Sequence, residues 1–416
     1  MANGEAVELG YPAAKRLFAP GKKRILTIDG GGVRGIVSLA FLREMEDQLR
    51  KATRRNTLVL ADVFDLVAGT SVGSMLATMV ALGLPVAEME AHFRDMAPKI
   101  FDGRMTIFGQ RRFSAAPLVN SIRKIAKDER LGSAKLLTGL AIIAKRVDKG
   151  SVWVMSNNPK MPYYHDGPDY DGNKHYKLEM LVRASTAAPF LFTPAEMVIH
   201  TDRFGKTTSG WFVDGGVSPH NNPSLQMLLM ASLPAYQLNW NLSPDELLMI
   251  SVGTGLHRTP VDRNEKVVTG ILKRSLLPAS FKEDIEEAAF AAKTLRSMVA
   301  DSGLFTLQVM QALANPRFAW QINSEIKGLE GQLMLDAASA YATVRRDPRG
   351  LLRFQRYDLP LETGGLVPPA YDVVATAPER AALHAIDDPS ILEPLYQLAS
   401  EAARKQVSLL DFEGFI

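Results

Sequence analysis

The chain has 416 residues, 46% of them hydrophobic, with 48 Lys and Arg against 45 Asp and Glu. That is enough apolar sequence for a substantial buried core, and so small a basic excess makes no case for a nucleic-acid polymer as partner. Cysteine is absent, which excludes disulfides, thiolate metal sites and a cysteine nucleophile; chemistry must come from oxygen, nitrogen or a bound cofactor.

The first residues, MANGEAVELGYPAAKRLF, lack the unbroken apolar stretch of a secretory signal, so the sequence predicts a cytoplasmic protein. RILTID, 24 to 29, is a short apolar strand that runs into three glycines. In GIVSLAFLREMEDQL after it, Leu39, Leu42, Met45 and Leu49 fall at helical spacing. Basic residues cluster in KKR at 22 to 24 and in RKATRR at 50 to 55. They read as a solvated face, or as a surface for anionic lipid head groups or a nucleotide. VFDLVAG, 63 to 69, repeats the strand type. SVGSMLATMVALGLPVAEM from Ser71 falls short of the roughly 20 residues of a bilayer-crossing helix and is predicted to be one buried helix.

FDGRMTIFGQRRF, 101 to 113, reads as a surface loop, with an interfacial loop or a lid as alternatives. LAIIAKRV and SVWVMS flank the turn signal DKG and predict an antiparallel pair. GWFVDGG, 210 to 216, and LLMISVGTG, 247 to 255, are further strands ending in glycine turns. The alternation predicts an α/β fold, a mixed, mostly parallel sheet sandwiched by helices. Ligands of such sheets sit beyond the carboxyl ends of the strands, where all of these glycine turns lie, which points to one site. From about residue 258 the texture turns helical, in KEDIEEAAFAAKTLRSMVADSGLFTLQVMQALA and PSILEPLYQLASEAARKQVSLL, around a late strand, LLRFQRYDLPL. No linker detaches this part. The expected organisation is a catalytic domain over 22–257 and a largely helical portion over 258–416 continuous with the core, with a regulatory role as the alternative.

The chemistry-bearing stretch is LVAGTSVGSML, where Gly69, Ser71 and Gly73 complete G-x-S-x-G between an apolar strand and an apolar helix. The serine of that pattern occupies a sharp turn crowded by its neighbours, so the positions two before and two after must lack side chains. The turn also places the hydroxyl at a helix N-terminus, where free N–H groups favour developing negative charge. An ordinary glycine-flanked turn is the bland alternative. A serine nucleophile needs a base, and none of the seven histidines (92, 165, 175, 200, 220, 257 and 384) stands in the context of one. His220 and His257, beside strand turns, are the nearest to it. Asp214 in WFVDGGVS is the better candidate, because Gly215 and Gly216 leave its carboxylate accessible. With an ordinary pKa near 4 it would need desolvation or close contact with the hydroxyl to act, and its bland reading is a turn aspartate.

DGGGVRG at 29 to 35, GTSVG at 69 to 73 and DGG at 214 to 216, in that order, resemble the patatin-like phospholipase family. RASTAAPFLFTPAEM at 183 to 197, NNP at 221 to 223 and ISVGTG at 250 to 255 add to the resemblance, which covers about residues 22 to 257; INSEIKGL and LLRFQRYDLPL resemble later parts of bacterial members. The resemblance implies an acyl hydrolase that cleaves carboxylic esters of membrane glycerophospholipids with a Ser-Asp dyad and without a metal or other cofactor. Ser71 would be the nucleophile and Asp214 its base, with the backbone around Gly30, Gly31 and Gly32 as the oxyanion hole. Asp29, Arg34, Gly35, Gly69, Gly73, Gly215 and Gly216 would support it. Asp29 is expected to be tied up in hydrogen bonds or with Arg34. The implied partner is a membrane phospholipid, met peripherally at the inner face of the membrane, with the 101–113 loop and the early basic cluster as contacts. Some bacterial proteins of this type are switched on by cyclic nucleotides in antiphage signalling, so a cyclic nucleotide is a candidate activator, although no nucleotide-sensing motif is recognisable. The sequence sets no oligomeric state.

Two other readings of the glycine run take its target as phosphate. Gly30, Gly32 and Gly35 satisfy the dinucleotide-binding G-x-G-x-x-G, but the second strand ends in GTSVG rather than in the acidic residue that fold requires. An actin-like or sugar-kinase-like ATPase would use DGGG and DGG around nucleotide phosphates and would leave the serine turn unexplained. A catalytically dead binding module on the same scaffold is disfavoured by the intact serine and aspartate.

Overall fold

A computed structural model describes residues 8–101, 104–107, 110–189, 191–256, 279–314, 350–361, 383 and 385–416. In chain order these form α1 (Pro12–Phe18), β1 (Lys23–Ile28), α2 (Gly35–Thr53), β2 (Leu66–Thr70), α3 (Val72–Ala81), α4 (Val86–Phe101), β3 (Arg104–Ile107), β4 (Gln110–Phe113) and α5 (Ala116–Ala126). There follow β5 (Gly139–Arg146), β6 (Ser151–Ser156), α6 (Leu178–Ser185), β7 (Ala195–Thr201), β8 (Thr207–Asp214), α7 (Ser224–Ser232), β9 (Leu247–Val252), α8 (Ala279–Leu313), β10 (Arg353–Tyr357) and α9 (Leu392–Gln406).

The main sheet runs β10-β9-β1-β2-β5-β8-β7, with β6 also paired to β5. β10, β9, β1, β2 and β5 are parallel, while β6, β8 and β7 pair antiparallel. The mixed, mostly parallel sheet predicted from the alternation is therefore what forms. Side chains alternate across its strands: Leu26, Ile28, Val67, Leu248 and Ile250 join one buried cluster, and Ile25, Leu66, Ala68, Leu247 and Met249 join the other. Helices α2 to α6 and α9 cover the first face; α1, α7 and α8 cover the second. Burial on both faces is why these strands read as unbroken apolar runs.

One register positions the site. β6 pairs with β5 from Ala141 to Arg146, so the other edge of β5 is shared by two strands: Thr70 of β2 lies opposite Ile143, and Asp214 of β8 opposite Ala144. β2 runs parallel to β5 and β8 antiparallel, so their carboxyl ends meet head to head. Residues 143 apart in sequence thereby become neighbours.

Two expectations need correction. The single helix expected from Ser71 is two, because α3 stops at Ala81, Gly83 turns left-handed at φ 79° and Pro85 precedes α4. The expected loop at 101–113 contains an antiparallel hairpin, β3 with β4, docked where Phe113 packs edge-on to Phe101 at 5.0 Å. The basic cluster divides: Lys23 is buried on the Arg16 carbonyl, Arg24 pairs with Asp65 and Arg50 with the buried Glu46, while Lys22, Lys51, Arg54 and Arg55 are exposed. It lies where β1 begins and α2 ends, about 20 Å of strand from the glycine run by the 3.3 Å rise per residue. INSEIKGL lies outside the described residues.

Candidate active site

The nucleophile turn follows from crowding. Ser71 sits at φ 55° and ψ −129°, a conformation that costs a non-glycine residue about 1–3 kcal/mol and persists only where the surroundings enforce it. They do so closely: a Cβ on Gly69 would lie 2.0 Å from the Gly73 carbonyl oxygen, and one on Gly73 would lie 2.2 Å from that of Ile28. Both glycines are therefore obligatory, as the sequence spacing required. The Ser71 N–H donates to Ser185 Oγ at 2.9 Å, and that hydroxyl donates to the Ile143 carbonyl at 2.6 Å, tying the turn to the end of α6 and to β5. Ser74 Oγ donates to the Ser71 carbonyl at 2.6 Å, and Thr70 Oγ1 to that of His220, also at 2.6 Å.

Ser71 Oγ donates to Asp214 Oδ2 at 2.6 Å. The other carboxylate oxygen accepts from Gly216 N–H at 2.7 Å, and the Asp214 N–H donates to the Ala187 carbonyl at 3.0 Å. Gly215 brings its Cα against β5, since a Cβ there would lie 2.5 Å from the Ile143 carbonyl oxygen. Burial pushes the Asp214 carboxyl up to about 6, against the opposing pull of the bonds from Ser71 and Gly216. A carboxylate with that pKa is ionised at neutral pH and is a far better proton acceptor than a solvated one.

His220 does not compete for this role. Its Nδ1 meets Ser218 Oγ at 3.1 Å, and burial holds its pKa below the ordinary value despite a bond with Gln226. His165, His175 and His200 pair with Glu8, Asp166 and Asp171 respectively. His257 and His384 lie outside the described residues.

The glycine run packs against the same turn. Gly30 leaves a gap beside Ser71, because its Cβ would come within 3.0 Å of Ser71 Cβ and 2.4 Å of Asn221 Oδ1. Its own N–H donates to the Asn221 carbonyl at 3.1 Å and is committed there. Among the described residues the N–H groups of Gly31 and Gly32 meet no acceptor. Gly32 adopts φ 60°, with its Cα facing the Ile386 carbonyl. Gly35 lets α2 begin against Val72 of α3. Arg34 is buried and lines the cavity; of the two alternatives for Asp29 the structure has hydrogen bonding, and the donor is Arg356, through contacts of 2.6 and 3.0 Å, rather than Arg34.

A cavity of about 510 Å³ opens over Ser71 and Asp214. Its apolar lining includes Met75, Phe93, Met96, Ile100, Leu118 and Phe192, together with Val299, Gly303 and Leu307 of α8. The dimensions suit an acyl chain. Among the described residues no cluster of three or more His, Asp or Glu is arranged to hold a metal.

The patatin-like phospholipase family model matches residues 26–228. Residues 26–228 are a patatin-like phospholipase domain. Patatin-15 of Solanum tuberosum is 29% identical over 243 residues, covering 56% of this chain and 60% of the relative. A protein of Escherichia coli (strain TW11681) named cGAMP-activated phospholipase is 29% identical over 231 residues, covering 56% of this chain and 62% of the relative. The chain thus spans about three fifths of the length of these relatives. Among solved structures, VipD from Legionella pneumophila covers 91% of this chain and 67% of its own at a TM-score of 0.32 and 12% identity. DGGGVRG, GTSVG and the DGG at 214 to 216 all lie within the matched patatin-like domain, which runs against the dinucleotide and ATPase readings of the glycine run.

Sequence reasoning missed the groups that hold the site from behind. Ser185 lay inside a quoted stretch without a role, and Thr254, Asn221, Arg356 and Asp358 were not singled out. Charged residues within LLRFQRYDLPL, an otherwise apolar strand, were the available signal for the last two, since buried charges are rare unless paired.

Proposed function

We propose that this patatin-like protein is a lipid acyl hydrolase acting on carboxylic esters of membrane glycerophospholipids, with Ser71 as nucleophile and Asp214 as general base. The observation that carries the proposal is the 2.6 Å hydrogen bond between Ser71 Oγ and the buried Asp214 Oδ2 beneath a glycine turn. In this reading Ser71 Oγ attacks the ester carbonyl carbon as its proton passes to Asp214 Oδ2. The carbonyl oxygen becomes an oxyanion that meets the Gly31 and Gly32 N–H groups, already oriented, so no dipole has to turn during the step. Gly30 supplies clearance rather than a donor, since its N–H is held by Asn221. Collapse breaks the ester bond, the proton on Asp214 moves to the leaving alcohol, and the acyl group stays on Ser71. Water then attacks the acyl-enzyme, giving its proton to Asp214, and the fatty acid leaves with Ser71 restored. The apolar lining of the cavity holds the acyl chain throughout.

Such a substrate places the protein peripherally at a membrane surface, on the cytoplasmic side in the sequence reading. No helix among the described residues is long and apolar enough to cross a membrane. The relative named as cGAMP-activated supports testing a cyclic nucleotide as activator, with antiviral defence as the setting. The deciding experiment measures fatty acid release from phospholipid vesicles by wild type, Ser71→Ala and Asp214→Ala, with and without a panel of cyclic dinucleotides, alongside thermal melts. Release by wild type and none by either folded variant supports the dyad. Activity surviving in folded Asp214→Ala returns the search to His220 and His257, and a rate indifferent to every cyclic dinucleotide removes the activator.

A further inference from the structure

The most elaborate buried polar cluster of the described chain lies behind the glycine run and contains none of the reacting atoms. Arg356 of β10 pairs in register with Ser251 of β9, which pairs with Thr27 of β1. All three residues point to one sheet face, as does Asp29, two residues beyond Thr27. The guanidinium therefore reaches over β9. Nη1 donates to Ser251 Oγ at 2.7 Å and Asp29 Oδ1 at 3.0 Å; Nη2 donates to Asp29 Oδ2 and Asp358 Oδ2, both at 2.6 Å.

Asp358 continues the cluster into the neighbouring turn, accepting Gly255 N–H at 2.8 Å. From that turn Thr254 Oγ1 donates to the Gly30 carbonyl at 2.7 Å, and Gly253 leaves no room for a side chain because a Cβ would meet Asp358 Oδ2. One arginine thus fixes both ends of a frame: Asp29 at the entry to the glycine run, and the β9 turn that grips the Gly30 carbonyl.

We propose that Arg356 is a positioning residue for the oxyanion donors, so that the segment after residue 350 is part of the catalytic machinery. The role rests on the hydrolase reading above. An oxyanion donor acts only if it is already aimed, and a displacement near 1 Å at a reacting centre costs on the order of 10²-fold in rate. Glycine-rich backbone has no side chains of its own to hold it, so its aim must come from neighbours. The planar fork of arginine satisfies Asp29 through two parallel bonds while reaching Asp358 and Ser251; lysine, a point charge, cannot make that set.

The test compares wild type with Arg356→Lys, reading kcat and KM for fatty acid release, and hydrogen exchange of the peptide spanning residues 29 to 35. Arg353→Met, on the same strand but half-buried beside Glu413 and Phe415 and away from the glycine run, is the control and should match wild type in kcat and in exchange of that peptide. The expected result for Arg356→Lys is faster exchange in that peptide and a ~10- to 100-fold fall in kcat with KM unchanged. If Arg356→Lys does not fold, the neutral set Asp29→Asn, Arg356→Met and Asp358→Asn takes its place, since it leaves no buried ion unpaired. Exchange at the wild-type rate with kcat within threefold overturns the proposal. If wild type itself releases no fatty acid, the hydrolase reading falls, and exchange alone decides whether Arg356 orders the glycine run.

Discussion

Asp214→Asn should stabilise the protein while abolishing its activity, and the gain should depend on pH in a way fixed by one buried carboxyl. The substitution is close to isosteric, so packing around β8 is kept. Asp214 titrates near 6 in the folded protein and near 3.9 when unfolded, because burial disfavours the charged form. A folded-state pKa above the unfolded one gives stability that is fully present below about pH 4 and lost as pH rises through about 6. Two pKa units at 1.36 kcal/mol each set the cost of ionisation at ~3 kcal/mol, an upper value reached above pH 6. Asparagine carries no such cost. At about 2 °C per kcal/mol for a large domain, the variant should melt ~6 °C higher than wild type at pH 8 and level with it at pH 4. Loss of the proposed general base should meanwhile lower fatty acid release by ~10²- to 10⁴-fold. Wild-type kcat/KM should fall as pH drops below about 6, where Asp214 takes up its proton. Calorimetry of both proteins from pH 4 to 8, with a pH–rate profile of the wild type, measures all of this. A melting difference that is the same at pH 4 and pH 8, or a wild-type rate flat across pH 6, would refute the reasoning.

Ser185→Ala leaves the Ser71 N–H and the Ile143 carbonyl without their shared hydroxyl. It should cost about 1–3 kcal/mol of stability, read by denaturant titration, with a loss of rate as the strained turn relaxes. Gly303 of α8 faces the cavity, and a Cβ there would touch nothing within 4 Å. Gly303→Ala should therefore raise stability by ~0.5–1 kcal/mol with activity kept. Gly303→Leu should slow long-chain esters on the order of tenfold relative to short ones, as about 1.4 kcal/mol of lost acyl contact requires; equal rates on both lengths would place the acyl chain elsewhere.

The strands and the serine turn were legible because local rules decide them. RILTID, VFDLVAG and LLMISV are apolar runs bounded by glycine, and Gly69 and Gly73 follow from steric exclusion at an adjacent turn. Asp214 was legible as an accessible strand-end carboxylate, but its meeting with Ser71 depends on β5 changing neighbours between Ile143 and Ala144. Nothing in either local stretch encodes that register. That Asp29 is hydrogen-bonded was legible, but its donor was not, for the same reason: Arg34 is five residues away in sequence, whereas Arg356 reaches it only through three strands in register. The break at Gly83 and Pro85 was readable from turn chemistry and was overridden by the length of the apolar pattern.

The extent of the family match and the extent of the working site differ, for a structural reason. Residues 26–228 contain Ser71, Asp214 and the glycine run, hence every group proposed for bond making. Yet β1, which delivers the run, is paired on one side by β9 and reaches β10 only through it. A chain ending at residue 228 would expose the β9-facing edge of β1, leave Asp29 buried without Arg356 and free the Gly30 carbonyl from Thr254. A sheet built from parallel strands allows the reacting residues to be early in sequence while their supports come late, because a strand can be added at the open edge after a long excursion. The smallest unit with the whole arrangement therefore extends through β10, and the contact between Ile386 and Val33, whose N–H meets the Ile386 carbonyl at 2.9 Å, carries it further still.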